Sequence, residues 1–261
     1  MKGRIIEELK RLESEHDCRI LIAVESGSRA WGFASPDSDY DVRVVYVKPI
    51  DWYLGLEERK TDTWNAMLPG DLDISAWDLR KALRHLLKSN ASFMEWLGSP
   101  IVYLDDGLIA RLNELKDSCV NPVHVAFHYA SMFRHAMEDL ASDGTISVKK
   151  LCYALRASLC VRWTMERETM PPTEFEAVCR GLSLAPDEAS AIVRLLERKH
   201  AAEEKDRVVP EPALAPLLAS CQDELTAFKW RRNGADTSAR AAIESVFLSV
   251  VRNSPAGRFP T

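Results

Sequence analysis

Two strand-like segments joined by a glycine-containing turn constrain the fold of this chain more than any other feature. Residues 20–24 form a short apolar run, and residues 40–47 form a second run rich in β-branched and aromatic side chains. Such residues favour strands because they pack well on a pleated, half-buried surface. Gly27 and Gly32 lie between the runs, where the chain has to turn. We expect Gly32 to relieve the packing of this turn against the strand.

Asp39 and Asp41 stand at the start of the second predicted strand. Alternate residues of a strand point to the same face, so the two carboxylates lie ~6.6 Å apart along one face. Tyr40 and Val42 point to the other face, into the core. Like charges this close repel, and a bound cation is the natural compensation. The pair indicates a site for two Mg²⁺ ions, although a solvated turn followed by an edge strand also fits these residues.

The residues before this pair have the properties that a triphosphate site needs. Gly27 lets the backbone approach a ligand, and the N–H groups of a following helical turn favour anions. The hydroxyl of Ser28 can add a hydrogen bond, and Arg29 can neutralise phosphate charge. Arg43 shares a face with Asp39 and Asp41, so it either neutralises phosphate or pairs with those carboxylates.

The order of strand and helix patterns predicts two domains. Strand patterns occupy residues 61–67, 71–75 and 101–103, and helical patterns occupy residues 4–15, 79–88, 91–97 and 105–117. Almost all of the rest has helical periodicity, beginning with an Asn-Pro cap at residues 121–122. We therefore predict an α+β domain at residues 1–104, an all-helical substrate-binding domain at residues 105–252, and a frayed tail at residues 253–261.

The composition limits the class of protein and its compartment. With 46% hydrophobic and 28% charged residues, the chain has the balance of a soluble globular protein. No apolar run reaches the ~18 residues of a membrane span, and acidic residues stand where a signal peptide needs an apolar stretch. The six cysteines have no paired spacing, which argues against a disulfide framework or a zinc site. We expect a cytoplasmic protein without a membrane contact.

The charge is unevenly distributed along the chain. Residues 1–109 hold 14 basic and 19 acidic residues, whereas residues 110–261 hold 20 of each, for a net charge of −5. A carboxylate cluster would place the acidic excess in this N-terminal part. The acidic balance and the lack of a basic stripe disfavour a nucleic-acid-binding module without catalysis.

The segment from Glu25 to Arg43 resembles a known signature. It contains Gly-Ser, a glycine four residues after the serine, and Ser-Asp-x-Asp followed by a hydrophobic residue. This order resembles the signature of nucleotidyltransferases of the DNA polymerase β superfamily. The longer context is similar to one branch, the predicted nucleotidyltransferases of which some are associated with RNA-repair ligases (RlaP-like). The similarity covers about the first 165 residues and includes residues 71–74, 88–90, 95–97, 99–100 and 149–150.

The resemblance implies a polymerase β-like palm, a small mixed sheet with flanking helices. It also implies metal-dependent transfer of a nucleoside monophosphate from an NTP such as ATP to an acceptor hydroxyl, with release of pyrophosphate. The acceptor stays open: an RNA end, a protein or a small molecule. The implied cofactor is Mg²⁺ or Mn²⁺, and the implied nucleotide site comprises Gly27, Ser28, Arg29 and Ser38.

The third carboxylate of the family lies inside a neighbouring strand, between apolar residues. Asp71 and Asp73 share one face of the strand predicted at residues 71–75, and only Asp73 lies between apolar neighbours. The resemblance therefore implies Asp73 as the third metal ligand and as the general base, or as the group that orients the attacking hydroxyl. Asp71, beside a Pro-Gly turn, is expected to be solvated.

A basic face on a later helix is a second candidate for nucleotide binding. Lys149, Tyr153 and Arg156 are spaced at i, i+4 and i+7, so they share one helix face. Such a face can hold a triphosphate and stack a base on the tyrosine. A solvated face with a half-buried tyrosine fits the same spacing.

The chief alternative to an enzyme is a protein with the same fold but without turnover, such as a nucleotide sensor or a toxin-neutralising partner. The presence of Asp39, Asp41 and Asp73 argues against such a loss of catalysis.

Overall fold

The structure is a computed structural model, and it describes residues 1–56, 61–201, 206–219, 225, 228–230, 235 and 237–254. In chain order its elements are α1 (Lys2–Glu15), β1 (Arg19–Glu25), α2 (Gly27–Trp31), β2 (Tyr40–Val47), α3 (Ile50–Leu54), β3 (Thr63–Leu68), β4 (Leu72–Asp78), α4 (Leu79–Leu87), α5 (Ala91–Leu97), β5 (Val102–Asp105), α6 (Leu108–Cys119), α7 (Pro122–Met137), β6 (Ile146–Ser147), α8 (Val148–Arg167), α9 (Phe175–Gly181), α10 (Pro186–Ala201), β7 (Arg207–Val208), a 3₁₀ turn (Pro212–Leu214), α11 (Ala215–Leu218) and α12 (Thr237–Arg252).

The chain divides into two compact units. The sheet unit comprises residues 1–26, 39–119 and the described residues from 235 onward, and the helical unit comprises residues 27–38 and the described residues of 120–234. These units do not follow the predicted boundary at residue 104. Helix α6 belongs to the sheet unit, and the turn between β1 and β2 belongs to the helical unit. Apart from Asn253 and Ser254, the predicted frayed tail lies outside the described residues.

The described part of the sheet unit contains a five-stranded mixed sheet in the order β3-β4-β2-β1-β5. Strands β2 and β4 are parallel, and the other neighbours are antiparallel. The apolar side chains of α1, β1, β2 and β4 form the core on one face of this sheet, where Val42, Ile74 and Ala76 are fully buried. The predicted α+β class is confirmed.

Several predicted elements have the bounds that the structure shows, and others end differently for local reasons. Strand β2 and helix α5 span the predicted residues 40–47 and 91–97. Helix α6 begins three residues later than predicted, because the Asp105 carboxylate accepts hydrogen bonds from the N–H groups of Leu108 and Ile109. The described helices contain none with both the length and the apolar character of a membrane span.

Helices α7 and α8 pair closely in the helical unit. The turn between β1 and β2 belongs to this unit because Trp31 and Phe33 bury their rings here, at 7% and 0% exposure. Both rings contact Tyr153 on α8, at centroid distances of 5.0 and 6.0 Å. The unit also contains a short antiparallel pair, β6 with β7, which the prediction of an all-helical domain did not include. Strands of two residues are too short to show a period in the sequence.

Gly32 ends helix α2 in a left-handed conformation, with φ +89°. Its N–H donates to the Ser28 carbonyl, which also accepts the N–H of Phe33 at 3.0 Å. A Cβ atom at position 32 would meet no atom within 4 Å. The glycine is therefore required by the backbone angle, and not, as the sequence suggested, by close packing against a strand.

We predict opposite effects for alanine at two glycines that both have free space. Gly32→Ala should lower the free energy of unfolding by about 1–2 kcal/mol, since a side chain disfavours positive φ. Gly3, in the first turn of α1, also has nothing within 4 Å of a Cβ, and Gly3→Ala should raise stability by up to about 1 kcal/mol. Urea denaturation of both variants measures the difference, and equal effects would contradict the assignment of strain to Gly32.

Candidate active site

The parallel pairing of β2 with β4 brings two of the predicted metal ligands together. Asp41 and Asp73 are direct register partners, so their side chains leave the sheet on the same face. Their side chains are 28% and 31% exposed. Asp39 precedes β2 and is exposed. The sheet unit thus presents a pair of half-buried carboxylates on adjacent strands, with a third carboxylate two residues before the first.

Arg43 lies between these two carboxylates. One guanidinium nitrogen donates to Asp41 Oδ1 at 2.8 Å, and another donates to Asp73 Oδ2 at 2.9 Å. Burial raises the pKa of Asp41, and the positive charge of Arg43 opposes this rise. Of the two roles that the sequence left open for Arg43, the structure shows the ion pair with the carboxylates.

The donor set matches the chemistry of a divalent cation. Mg²⁺ and Mn²⁺ prefer carboxylate oxygens, and Asp41 and Asp73 already converge on a single cationic group. In this structure that cationic group is the guanidinium of Arg43. Among the described residues no group of three or more acidic, histidine or cysteine side chains is arranged to hold a metal. Arg43 bonds to one oxygen of each carboxylate, so the second oxygens of Asp41 and Asp73 are not engaged by Arg43.

Glu25, at the start of the segment that carries the signature, holds the backbone at Asp41. It is fully buried at the end of β1, and its Oε1 accepts the N–H of Asp41 at 2.7 Å. Its Oε2 accepts the hydroxyl of Tyr103, and its carbonyl accepts the hydroxyl of Ser99 at 2.6 Å. The signal in the sequence is a carboxylate at the end of a buried strand. A buried charge needs several hydrogen-bond partners, so a carboxylate at such a position indicates a positioning role.

Asp71 and Asp73 have different environments in the structure. Asp71 lies before β4 in a turn, exposed and with φ +55°, and its carbonyl accepts the N–H of Tyr40 at 2.7 Å. Asp73 lies inside β4, between the buried side chains of Leu72 and Ile74. Of the two carboxylates, only that of Asp73 lies in the strand beside Asp41.

The predicted phosphate-binding residues lie in the helical unit. Gly27 begins α2 with φ +60°, and Ser28 is 7% exposed. Arg29 donates a hydrogen bond to the carbonyl of Ser38 at 2.6 Å. The hydroxyl of Ser38 lies 3.0 Å from that of Ser35. The glycine-serine turn and the serine before Asp39 therefore belong to one hydrogen-bonded segment.

Arg156 does not lie on a solvated face. It is fully buried, with its guanidinium 4.4 Å from the centroid of the Trp31 ring and 5.7 Å from that of Tyr129. It also donates to the carbonyl of Thr173 at 3.0 Å. Lys149 and Tyr153 are half-buried on the same helix. The i, i+4, i+7 spacing predicted that the three residues share one helix face. Spacing along the helix does not reveal that Trp31 covers this face at Arg156.

Two cavities in the helical unit differ in whether a predicted site residue lines them. One of about 530 Å³ is lined mainly by α8 and the segment around Pro216, and none of the predicted site residues lines it. A more open one of about 280 Å³ is lined by Lys150, Tyr153 and residues of α7, among them His128 and His135. Lys150, and not Lys149, thus faces a cavity next to Tyr153.

Comparison with known proteins extends the sequence resemblance. A family model described as RlaP, RNA repair pathway DNA polymerase beta family, matches residues 1–249. The uncharacterized protein YcgL of Bacillus subtilis (strain 168) is 42% identical over 207 residues, 79% of this chain and 79% of that protein. A nucleotidyltransferase-like protein from Exiguobacterium sibiricum 255-15 superposes with a TM-score of only 0.30 and 12% identity, over 95% of this chain and 80% of that chain. The family match reaches well beyond the first 165 residues and includes the helical unit.

Replacing Arg43 tests whether the carboxylate pair needs a cation. We predict that Arg43→Met lowers the free energy of unfolding by about 1–2 kcal/mol, because Asp41 and Asp73 lose their shared counter-charge. Mn²⁺ should raise the thermal midpoint of this variant more than that of the wild type, since no guanidinium competes for the two carboxylates. Thermal unfolding with and without Mn²⁺ measures both effects.

Arg180→Met is the matched control, because Arg180 forms an exposed ion pair with Glu176, at 67% and 77% exposure. It should change neither the stability nor the response to Mn²⁺. Equal Mn²⁺ shifts in the wild type and Arg43→Met would contradict the cation site.

Proposed function

Because the chain belongs to the RlaP family, the RNA repair pathway DNA polymerase beta family, we propose that it transfers a nucleoside monophosphate from an NTP to an acceptor hydroxyl. The observation that carries the proposal is the convergence of Asp41 and Asp73, on adjacent parallel strands, upon one cationic group. The family description favours an RNA end over a protein or a small molecule as the acceptor.

The carboxylates of the sheet unit have distinct roles in this proposal. Asp39, Asp41 and Asp73 would hold Mg²⁺ or Mn²⁺, and Asp73 would also accept the proton of the acceptor hydroxyl or orient that hydroxyl. When bound, the ions supply positive charge to the attacking and leaving oxygens of the transferred phosphoryl group. Glu25 fixes the position of Asp41 through its N–H, at 2.7 Å. Arg43 neutralises the carboxylates before metal binding.

Residues of the helical unit bind the NTP in this proposal. Gly27, Ser28, Arg29 and Ser38 contact the triphosphate, Lys149 adds a positive charge, and Tyr153 stacks on the base. Arg156 has an indirect role, because its buried guanidinium supports Trp31 at the end of α2. Its removal would act on nucleotide binding through the position of α2.

One observation favours the alternative, a nucleotide-binding or toxin-neutralising protein without turnover. Arg43 pairs with Asp41 and Asp73, and this ion pair competes with a metal for both carboxylates. The two functions differ in a single measurable property, the release of pyrophosphate from an NTP.

Substituting the carboxylates tests the catalytic proposal. Asp39→Asn, Asp41→Asn and Asp73→Asn should each lower the rate of transfer by about 10³-fold, since the amide removes a metal ligand but keeps the size of the side chain. Asp71→Asn is the matched control and should stay within about threefold of the wild type, because Asp71 lies in an exposed turn. The assay follows label from each α-labelled NTP into a mixed RNA pool with Mg²⁺ or Mn²⁺.

The relative loss of transfer activity in these variants tests the assignment of the third carboxylate and the catalytic proposal separately. A larger loss for Asp71→Asn than for Asp73→Asn would overturn the assignment of the third carboxylate. Nucleotide binding by the wild type without any pyrophosphate release, across all four NTPs and several acceptor pools, would favour the non-catalytic alternative.

A further inference from the structure

Lys199 is a buried lysine near the end of α10 for which neither the sequence nor the family signature gives a role. Its side chain is 2% exposed, and its Nζ donates to the hydroxyl of Ser35 at 2.5 Å. The partner is a neutral hydroxyl and not a carboxylate. Burying an ammonium group without an opposite charge is costly. Stability alone therefore does not account for a lysine at position 199.

The hydrogen bonds around Lys199 have a fixed direction. An ammonium group has only donors, so Ser35 Oγ accepts from Lys199. Ser35 is 3% exposed, and among the described residues the acceptor available to its O–H is Ser38 Oγ, at 3.0 Å. The opposite direction would leave a buried O–H without an acceptor, which is costly. Ser35 therefore donates its hydroxyl hydrogen to Ser38.

The hydroxyl of Ser38 can act towards a further partner only as a hydrogen-bond donor. Its Oγ accepts from the hydroxyl of Ser35 and also from the N–H of Ser35, at 3.0 Å. Both lone pairs are then used, and the remaining capacity is its own O–H donor. Ser38 is half-buried and directly precedes Asp39. Its backbone is held by Arg29 at the carbonyl, at 2.6 Å, and by the Ser35 carbonyl at the N–H, at 3.1 Å.

We infer that Lys199 is a positioning residue that makes Ser38 an obligate hydrogen-bond donor to a phosphate oxygen of the NTP. The charge of Lys199 polarises the chain from Ser35 to Ser38, which strengthens the final donor. A donor-only hydroxyl selects an unprotonated anionic oxygen and rejects a ligand group that has only donors. The inference rests on the proposed function, because the phosphate belongs to the NTP.

Lys199→Met separates this role from a structural one. Methionine has a similar volume and no charge, so the thermal midpoint should be equal to or above that of the wild type. The Kd for a non-hydrolysable NTP with Mg²⁺, measured by calorimetric titration, should rise by about tenfold, as expected for a lost charge-assisted hydrogen bond. Ser158→Ala, which removes a half-buried hydrogen bond to the Leu217 carbonyl in the same unit, should show the reverse, a lower midpoint and an unchanged Kd.

A double-mutant cycle with Ser38→Ala tests the path of the effect. If Lys199 acts through Ser38, Lys199→Met should change the Kd by less than about twofold in the Ser38→Ala background. An unchanged Kd for Lys199→Met alone, or an equal increase in both backgrounds, would overturn the inference, as would a midpoint lowered by several degrees. A wild type that binds no NTP would overturn the proposed function together with this inference.

Discussion

The repulsion between Asp41 and Asp73 is the constraint on which the rest of the site depends. Parallel pairing of β2 with β4 makes the two residues register partners. Both side chains are half-buried, so solvent does not fully screen the repulsion between their charges. The protein compensates with Arg43, and it holds the backbone at Asp41 with the buried carboxylate of Glu25. In the proposed function, this pair of charges, which is costly for folding, would bind a divalent cation.

Buried charges recur around the segment that connects β1 to β2. Glu25, Arg156 and Lys199 are each 2% exposed or less, and each bonds to or packs against a residue between positions 31 and 41. One contact fixes the backbone at Asp41 in β2, and the other two fix the ring of Trp31 and the hydroxyl of Ser35 in the connecting segment. The phosphoryl transfer proposed for this chain would require such positioning, since catalysis of this kind depends on geometry and on electrostatics fixed in advance.

Local patterns in the sequence predicted the strands and the carboxylates, because these features depend on neighbours along the chain. Strand β2 was recognisable from its β-branched residues, and Asp73 could be distinguished from Asp71 by its apolar flanks. Contacts between distant residues were not predictable in this way. Lys199 bonds to Ser35 across 164 positions, and the stripe of Lys149, Tyr153 and Arg156 gave no indication that Trp31 covers Arg156. The boundary at residue 104 differed from the observed units for the same reason, since α12 packs against α4 and α6.

Anomalous diffraction from crystals grown with Mn²⁺ and a non-hydrolysable NTP tests the central claim most directly. We expect an anomalous peak within coordination distance of carboxylate oxygens of both Asp41 and Asp73. A structure at saturating Mn²⁺ in which Arg43 keeps both ion pairs, with no peak at either carboxylate, would contradict it.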